Sequence, residues 1–504
     1  AEKKTYPEWG YIGVSGDYLI GGYGFMSFSS LVSTSKNEYA AWDDFDMSAS
    51  RGLVVMNRIT GEVVWRANAE QGFLHNGIVV GNGRLYTLDR VPPAIEDQLA
   101  RRGKKSEKTN RIAVFDLNTG KQVWEKRSDV FGSYLSYSEE RDILVQSSRP
   151  SRDMAPGESG TRMSALRGAN GSILWNKQNK YDTFPIIHGD TIITEGAFFS
   201  LATGEKLTRT DPMTGVSENW TWKRFYGCNY PIASENLITF RSGAAGFFDF
   251  ASDGGTGNFG GFKSGCTVNL IAADGVLNAP DYTRTCSCPY QNQTSLAFVH
   301  MPDAGIEYWT FNPYKWNGAQ VEKTGVNIGA PGDRMDDDGV MWLDSPSIGG
   351  ESPDLPIEYV PAKPALLRVH TARISGEYPW VASSAAEGVE EIRVTLAKEP
   401  ESKKPDSGKP AMKKAVPERR YTVKLVFAEL ADAGKGDRRF DVYLQGKRVA
   451  KNVDIMEETG ARYTSLVKKF GGVRAGNTLT VGFKPASGSK RPPVLSGIAI
   501  VKER

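Results

Sequence analysis

The chain has 504 residues, enough for two or three domains, each with its own core. Charged residues make up 24% of it, with a net charge of +3, a balance that excludes nucleic acid or an anionic membrane surface as a partner drawn by bulk charge. No apolar run approaches the roughly 20 residues needed to cross a bilayer, and no signal peptide stands at the start, so the sequence reads as a trimmed or partial chain.

Residues 1–320 carry a repeated hairpin. Its clearest copy is Phe115-Asp116-Leu117-Asn118-Thr119-Gly120-Lys121-Gln122-Val123-Trp124: alternating residues, a turn that needs a permissive backbone at Gly120, and a second strand ending on tryptophan. The same order runs from Val54 through Thr60-Gly61 to Trp65, and from Ala165 through Asn170-Gly171 to Trp175. These tryptophans stand about 50–60 residues apart, at or somewhat beyond the length of a propeller blade of roughly 40–50 residues. A second hairpin, an apolar pair followed by a polar turn and an apolar strand, alternates with the first at Val14–Ile20, Val80–Tyr86, Ile187–Ile193 and Ile232–Ile238. One blade is thus a hairpin of each kind, and the chain starts inside a blade. Leu201–Leu207 keeps the Thr-Gly turn and loses the tryptophan.

Beyond the decaying copies lies a Gly-rich insert, 228–288, holding all four cysteines: Cys228, Cys266, Cys286 and Cys288. An even count inside one loop-rich segment points to two disulfides in an oxidising compartment, with Cys228 and Cys266 each pairing one member of Cys286-Ser287-Cys288. A zinc site is the alternative, without a C-x-x-C pair to support it. No G-K-[ST] follows the glycines, so a phosphate cradle is not indicated.

The Thr-Gly-Lys-x-x-Trp repeat resembles the PQQ-like (quinoprotein alcohol dehydrogenase-like) β-propeller family. That resemblance implies a propeller scaffold; many members of the family, including outer-membrane assembly factors, bind no quinone. Its quinone enzymes carry a disulfide between adjacent cysteines beside the cofactor, which Ser287 between Cys286 and Cys288 precludes here. The run from Arg241 through the cysteine insert is similar to large exported propeller proteins of planctomycete-type bacteria.

From about residue 321 the pattern changes. Val326–Ala330, Asp337–Asp344, Val369–Arg373, Tyr421–Glu429, Arg439–Gly446, Val453–Ile455 and Leu495–Ile500 follow one another in an order that resembles a malectin-like carbohydrate-binding domain, a β-sandwich over 321–504. The alternation of Tyr421–Phe427 and Phe440–Leu444 independently indicates strands with one buried face. Between two of the strands, 398–420 has many Lys, Pro and Glu and almost no large apolar residue, the composition of a mobile hairpin extension.

A sugar site needs flat aromatic faces and planar polar groups. Tyr378 and Trp380 stand where the malectin-like resemblance puts ligand-facing aromatics; two other positions depart from it. The aromatic pair after Phe427-Ala428-Glu429 is Leu430-Ala431, and the late ligand acid is missing from 488–493. Asp336, Asp337 and Asp338, with Asp333 and Asp344, are an acidic cluster with the oxygen ligands that Ca²⁺ takes, though without EF-hand spacing. On the propeller, His75, Arg241, Asp249, Arg284, Tyr290 and His300 are the polar candidates for proton abstraction or substrate binding.

The expectation is therefore an all-β, extracytoplasmic protein, periplasmic, surface-held or secreted. In it a propeller scaffold accompanies a sandwich that binds glycan or polysaccharide, or the chain serves as a platform for other protein subunits. The alternative is an enzyme: a PQQ- and Ca²⁺-dependent alcohol or sugar dehydrogenase, or a polysaccharide lyase or hydrolase with its site on the propeller face.

Overall fold

The computed structural model describes residues 9–26, 48–106, 108–150, 158–227, 229–260, 262, 270–280, 295–299, 307–347, 350–353, 355–398 and 416–504. The chain packs as two compact units, 1–207 and 208–504. The expected division at 320/321 lies inside the second unit.

The first unit consists of propeller blades of consecutive antiparallel strands. Trp9–Ser15, Tyr18–Phe25 and Ala49–Asn57 are followed by a long strand, Val63–Gly81. The first part of that strand pairs with Ala49–Asn57; past a register shift between Phe73 and Ile78, the rest pairs with Arg84–Asp89. One strand therefore closes the first blade and opens the second, which continues through Arg111–Asp116 and Gln122–Lys126. A four-stranded blade (Tyr134–Ser138, Ile143–Ser147, Met163–Arg167, Ile173–Lys177) and a three-stranded one (Ile186–His188, Thr191–Thr194, Ala197–Ser200) follow. The four short turns of the second hairpin type all join antiparallel strands.

The repeat motif is the joint between neighbouring blades. The carboxylate of Asp116 accepts hydrogen bonds from the backbone N–H groups of Asn118 (3.1 Å) and Thr119 (2.8 Å), which curls the chain into the turn that Gly120 completes at φ +70°. The indole of Trp65, in the preceding copy, lies on this turn and donates from Nε1 to the carbonyl of Leu117 at 2.7 Å. Trp124 does the same to Gly168 O (2.9 Å) and Trp175 to Leu201 O (2.9 Å). A Cβ on Gly120, Gly171 or Gly204 would come within 2.6–2.8 Å of the docked ring, so glycine is needed for the close approach as well as for the backbone. The tryptophan of each copy thus seals the turn of the next.

The second unit begins with the hairpin Thr208–Thr210/Ser217–Asn219, turned at Asp211–Gly215. It continues through a five-stranded sheet (Ile232–Ala233, Leu237–Ser242, Ala244–Asp249, Thr256–Asn258, Thr310–Phe311) and a three-stranded one (Ile271–Ala273, Val276–Ala279, Leu296–Val299). The sandwich follows. Its six-stranded sheet runs Arg334–Met335, Met341–Ser345, Lys323–Ile328, Gly497–Lys502, Arg419–Phe427, Leu466–Ala475, with one parallel pair between Lys323–Ile328 and Met341–Ser345. Its five-stranded sheet runs Ile357–Val360, Glu391–Thr395, Thr478–Pro485, Phe440–Leu444, Lys447–Val453. As the alternation requires, Tyr421, Val423, Leu425 and Phe427 are fully buried between the sheets, where Phe427 meets Phe440 and Phe483 at ring-centroid distances of 5.7 and 6.5 Å. Lys424 points to the opposite, outer face.

Candidate functional site

The outer face of the six-stranded sheet carries an aromatic cluster. Trp342 lies over Gly325, where a Cβ would sit 2.2 Å from its ring, so the glycine makes room for the indole to lie flat on the sheet. The segment 371–383 crosses this face and brings Tyr378 and Trp380 to within 5.4 and 5.5 Å of Trp342, the second edge-on. Its first turn is tied down by Glu307, which accepts from the Thr371 N–H (2.7 Å) and hydroxyl (2.9 Å) and pairs with Arg368 at 3.2 Å. Its last part is the short helix Pro379–Ala382.

Tyr378 precedes that helix in the left-handed conformation, φ +50° and ψ +49°, which a bulky L-residue adopts only where its surroundings impose it. The surroundings are visible. Lys424 Nζ donates to the Tyr378 hydroxyl at 2.8 Å and lies 5.2 Å from its ring centroid. That hydrogen bond, helped by the charges of Asp338 and Asp336, outweighs burial and raises the Lys424 pKa above its ordinary value. A second tyrosine in the same backbone state, Tyr463 (φ +60°), adjoins this segment through the bridge between Ser375 and Thr464. The guanidinium groups of Arg373 and Arg462 lie 4.3 and 4.9 Å from its ring centroid.

The structure brings three of the sequence candidates, Tyr378, Trp380 and Asp336, together around Trp342. Asp336 accepts from Trp342 Nε1 (2.9 Å) and from the Val340 N–H (2.8 Å), so its carboxylate locks the turn that carries Asp337 and Asp338. Those two acids are exposed. Trp380 is 7% exposed and packed between Trp342, Trp309 and the Arg334 guanidinium, 4.7 Å from its ring centroid. It therefore backs the cluster, while the half-buried Tyr378 reaches the surface. Sequence reasoning missed Lys424, Trp342 and Arg334. Strand alternation around Lys424 indicates that it faces outward, but nothing along the chain links it to a tyrosine 46 residues earlier.

Around the loops that follow Glu429, an ionic network replaces the aromatic pair. Arg438, 2% exposed, donates from Nε to Glu429 (2.7 Å) and from Nη2 to Glu387 (2.6 Å), and also holds the carbonyl of Pro492. Leu430 is buried beside it, and Arg491 Nη2 donates to the Asp432 carbonyl at 2.7 Å.

Among the propeller candidates, His75 lies in the first unit and Arg241 in the second. His75 is half-buried, its Nε2 2.9 Å from the Ser50 hydroxyl, and burial pushes its pKa down to about 4, so the ring is neutral at pH 7. Arg241 is buried on the strand Leu237–Ser242, its N–H donating to Asn229 Oδ1 at 2.7 Å. Asp249 accepts from the Ser252 N–H at 3.0 Å. Arg284, Tyr290, His300 and the four cysteines Cys228, Cys266, Cys286 and Cys288 lie outside the described residues, as do 399–415 of the Lys/Pro-rich stretch.

Comparison with known proteins agrees with this architecture. Residues 45–255 match the family model described as outer membrane protein assembly factor BamB, and residues 408–489 match that of the malectin domain. A curated relative, Receptor-like protein 4 of Arabidopsis thaliana, is 39% identical over 74 residues, 14% of this chain and 12% of its own length. Similar solved structures include a β-glucuronidase 2 of Bacteroides uniformis (15% identity, 53% of this chain and 28% of that one, TM-score 0.28). The ANXUR2 extracellular domain of Arabidopsis thaliana is another (14% identity, 36% and 48%, TM-score 0.26). The chain thus spans less than half the length of these relatives. It carries a PQQ-like propeller region followed by a malectin domain.

Proposed function

We propose that this protein is an extracytoplasmic carbohydrate-binding scaffold, with its glycan site on the outer face of the six-stranded sheet. The observation that carries this reading is Tyr378: an aromatic ring at the surface, held in a left-handed backbone and by Lys424, and packed on Trp342, whose indole binds the turn that exposes Asp337 and Asp338. A sugar ring would lay its C–H face on Tyr378, and its hydroxyls would meet the ammonium and the two carboxylates. Trp380 and Trp342 stiffen the platform from behind. The matches to a malectin domain and to an outer-membrane assembly factor support both the ligand class and a place outside the cytoplasm. The propeller region would act as a platform for other subunits, with Val63, Val64, Val123, Ile173 and Leu174 exposed on the last strands of its blades.

Glycan-array binding and affinity electrophoresis in soluble polysaccharides test the site. The intact chain is expected to be retained by at least one glycan, and Tyr378→Ala to weaken that retention at least ~10-fold, the scale on which one stacking contact acts. Silence of the intact chain on every glycan overturns the reading.

A further inference from the structure

Two lysines face each other on the outer side of the six-stranded sheet. Lys424 and Lys469 are register partners in neighbouring antiparallel strands, so their side chains leave the same face directly opposite one another. Like charges in that position are destabilising. Three other lysines of the sandwich show how such a charge is balanced: Lys468 pairs with Glu458 (2.6 Å), Lys490 with Asp437 (2.9 Å) and Lys502 with Glu322 (2.6 Å). Among the described residues, neither Lys424 nor Lys469 has an ion-pair partner. Lys424 is held instead by the Tyr378 hydroxyl at 2.8 Å, a contact that orients the ammonium without neutralising it. Lys469 is exposed. The charges of Asp336 and Asp338 reach Lys424 through space only, and the Asp336 carboxylate is engaged by Trp342 and the Val340 N–H.

The lysine pair lies at one end of the aromatic platform. The cross-strand row continues from Lys424 through Ala499 and Gly325 to Trp342. Two residues with little or no side chain thus separate the ammonium from the indole, and Tyr378 reaches both, 2.8 Å from Lys424 Nζ and 5.4 Å from the Trp342 ring centroid. Adjacent strands stand about 5 Å apart, so one group with several oxygens can meet both lysines. A neutral hydroxyl would leave their repulsion in place. A carboxylate or a sulfate ester removes it, and offers the acceptors that two ammonium groups require.

We propose, resting on Tyr378 as the glycan site, that the ligand is an anionic polysaccharide whose sugars carry a carboxylate or a sulfate ester. Lys424 and Lys469 together receive that group while Tyr378 packs against the adjoining sugar ring.

Affinity electrophoresis and a glycan array carrying neutral, uronate-bearing and sulfated polysaccharides test this on the full chain. Retention is expected on a uronate-bearing or sulfated member, and at least ~10-fold weaker on its carboxyl-reduced or desulfated form, the scale of one charge-assisted contact. Binding that stops on carboxyl reduction assigns the carboxylate; binding that stops on desulfation assigns the sulfate ester. Lys469→Gln, a change at an exposed position, should weaken retention at least ~10-fold, and Lys424→Gln should do the same. Lys447→Gln removes the same charge from an exposed position on the five-stranded sheet and should leave retention unchanged. Equal losses in Lys447→Gln and Lys469→Gln would mean bulk attraction to a basic surface, and the proposal falls. Retention on neutral glycans that is lost in Tyr378→Ala yet survives Lys469→Gln would keep the glycan site and overturn its anionic ligand, leaving Lys469 as a guard of the edge strand. Silence of the intact chain on every glycan removes both.

Discussion

The two regions hold themselves together by opposite means. In the propeller region, one neutral joint recurs three times among the described residues: an indole flat on a glycine turn, with a single N–H···O=C bond. In the sandwich, the loops after Glu429 gather on a buried charged centre, Arg438, paired with Glu429 and bonded to Glu387 and Pro492. A neutral joint loses only its own share when it is cut, whereas half of a buried ion pair leaves a desolvated charge behind. Repetition spreads the load; the single centre concentrates it.

This contrast ranks the consequences of mutation. Arg438→Ala should cost the most, about 3–5 kcal/mol in denaturant unfolding of the second unit, because it strands Glu429, itself 1% exposed. Replacing both partners, Arg438→Met with Glu429→Leu, should recover most of that loss; if the double variant is no better than the single one, the charge argument is wrong. Gly204→Ala should cost less, about 1–2 kcal/mol from the left-handed backbone alone, with an added penalty as the Trp175 ring, 2.7 Å from the new Cβ, is displaced. Near-UV circular dichroism of the indole would register that displacement. Trp65→Phe and Trp124→Phe keep a ring on the turn and lose one hydrogen bond each, so about 1 kcal/mol apiece is expected, and nearly additive values would support independent joints.

A further effect is one of pH. Burial holds the His75 pKa near 4 in the folded protein, below the 6.5 of an unfolded chain, so the fold favours the neutral ring. Its contribution is complete above about pH 6.5 and is lost progressively as pH falls toward 4. Unfolding midpoints measured from pH 7 to 4 should fall more steeply for the wild type than for His75→Gln; equal slopes would place the acid sensitivity elsewhere.

Much of the scaffold was legible because it is periodic. Trp65, Trp124 and Trp175 announce hairpins by local spacing, and the strand Tyr421–Phe427 announces its buried face by alternation. What the spacing does not show is that each tryptophan serves the next copy's turn, a contact 26 to 52 residues away in the chain. One further turn was readable and overlooked: Asp211–Gly215 repeats the Asp116–Gly120 pattern, with Asp211 accepting from the Met213 and Thr214 N–H groups. The glycan candidate was half legible. Tyr378 and the acidic turn are conspicuous in sequence, but their meeting across the sheet depends on Lys424, Trp342 and Glu307, and no local pattern couples those residues.

The joint between blades also has a direction. Because Trp65, Trp124 and Trp175 each reach forward onto the glycine turn of the following copy, the two flanks of a blade are different surfaces, like the hook and the eye of a chain link. Inserting one more copy between two existing ones creates only junctions of the kind already present, whereas reversing a copy would set hook against hook. A sequence built this way can lengthen by tandem duplication without inventing a new interface. Each copy can then diverge everywhere except at the ring and the turn that must still meet.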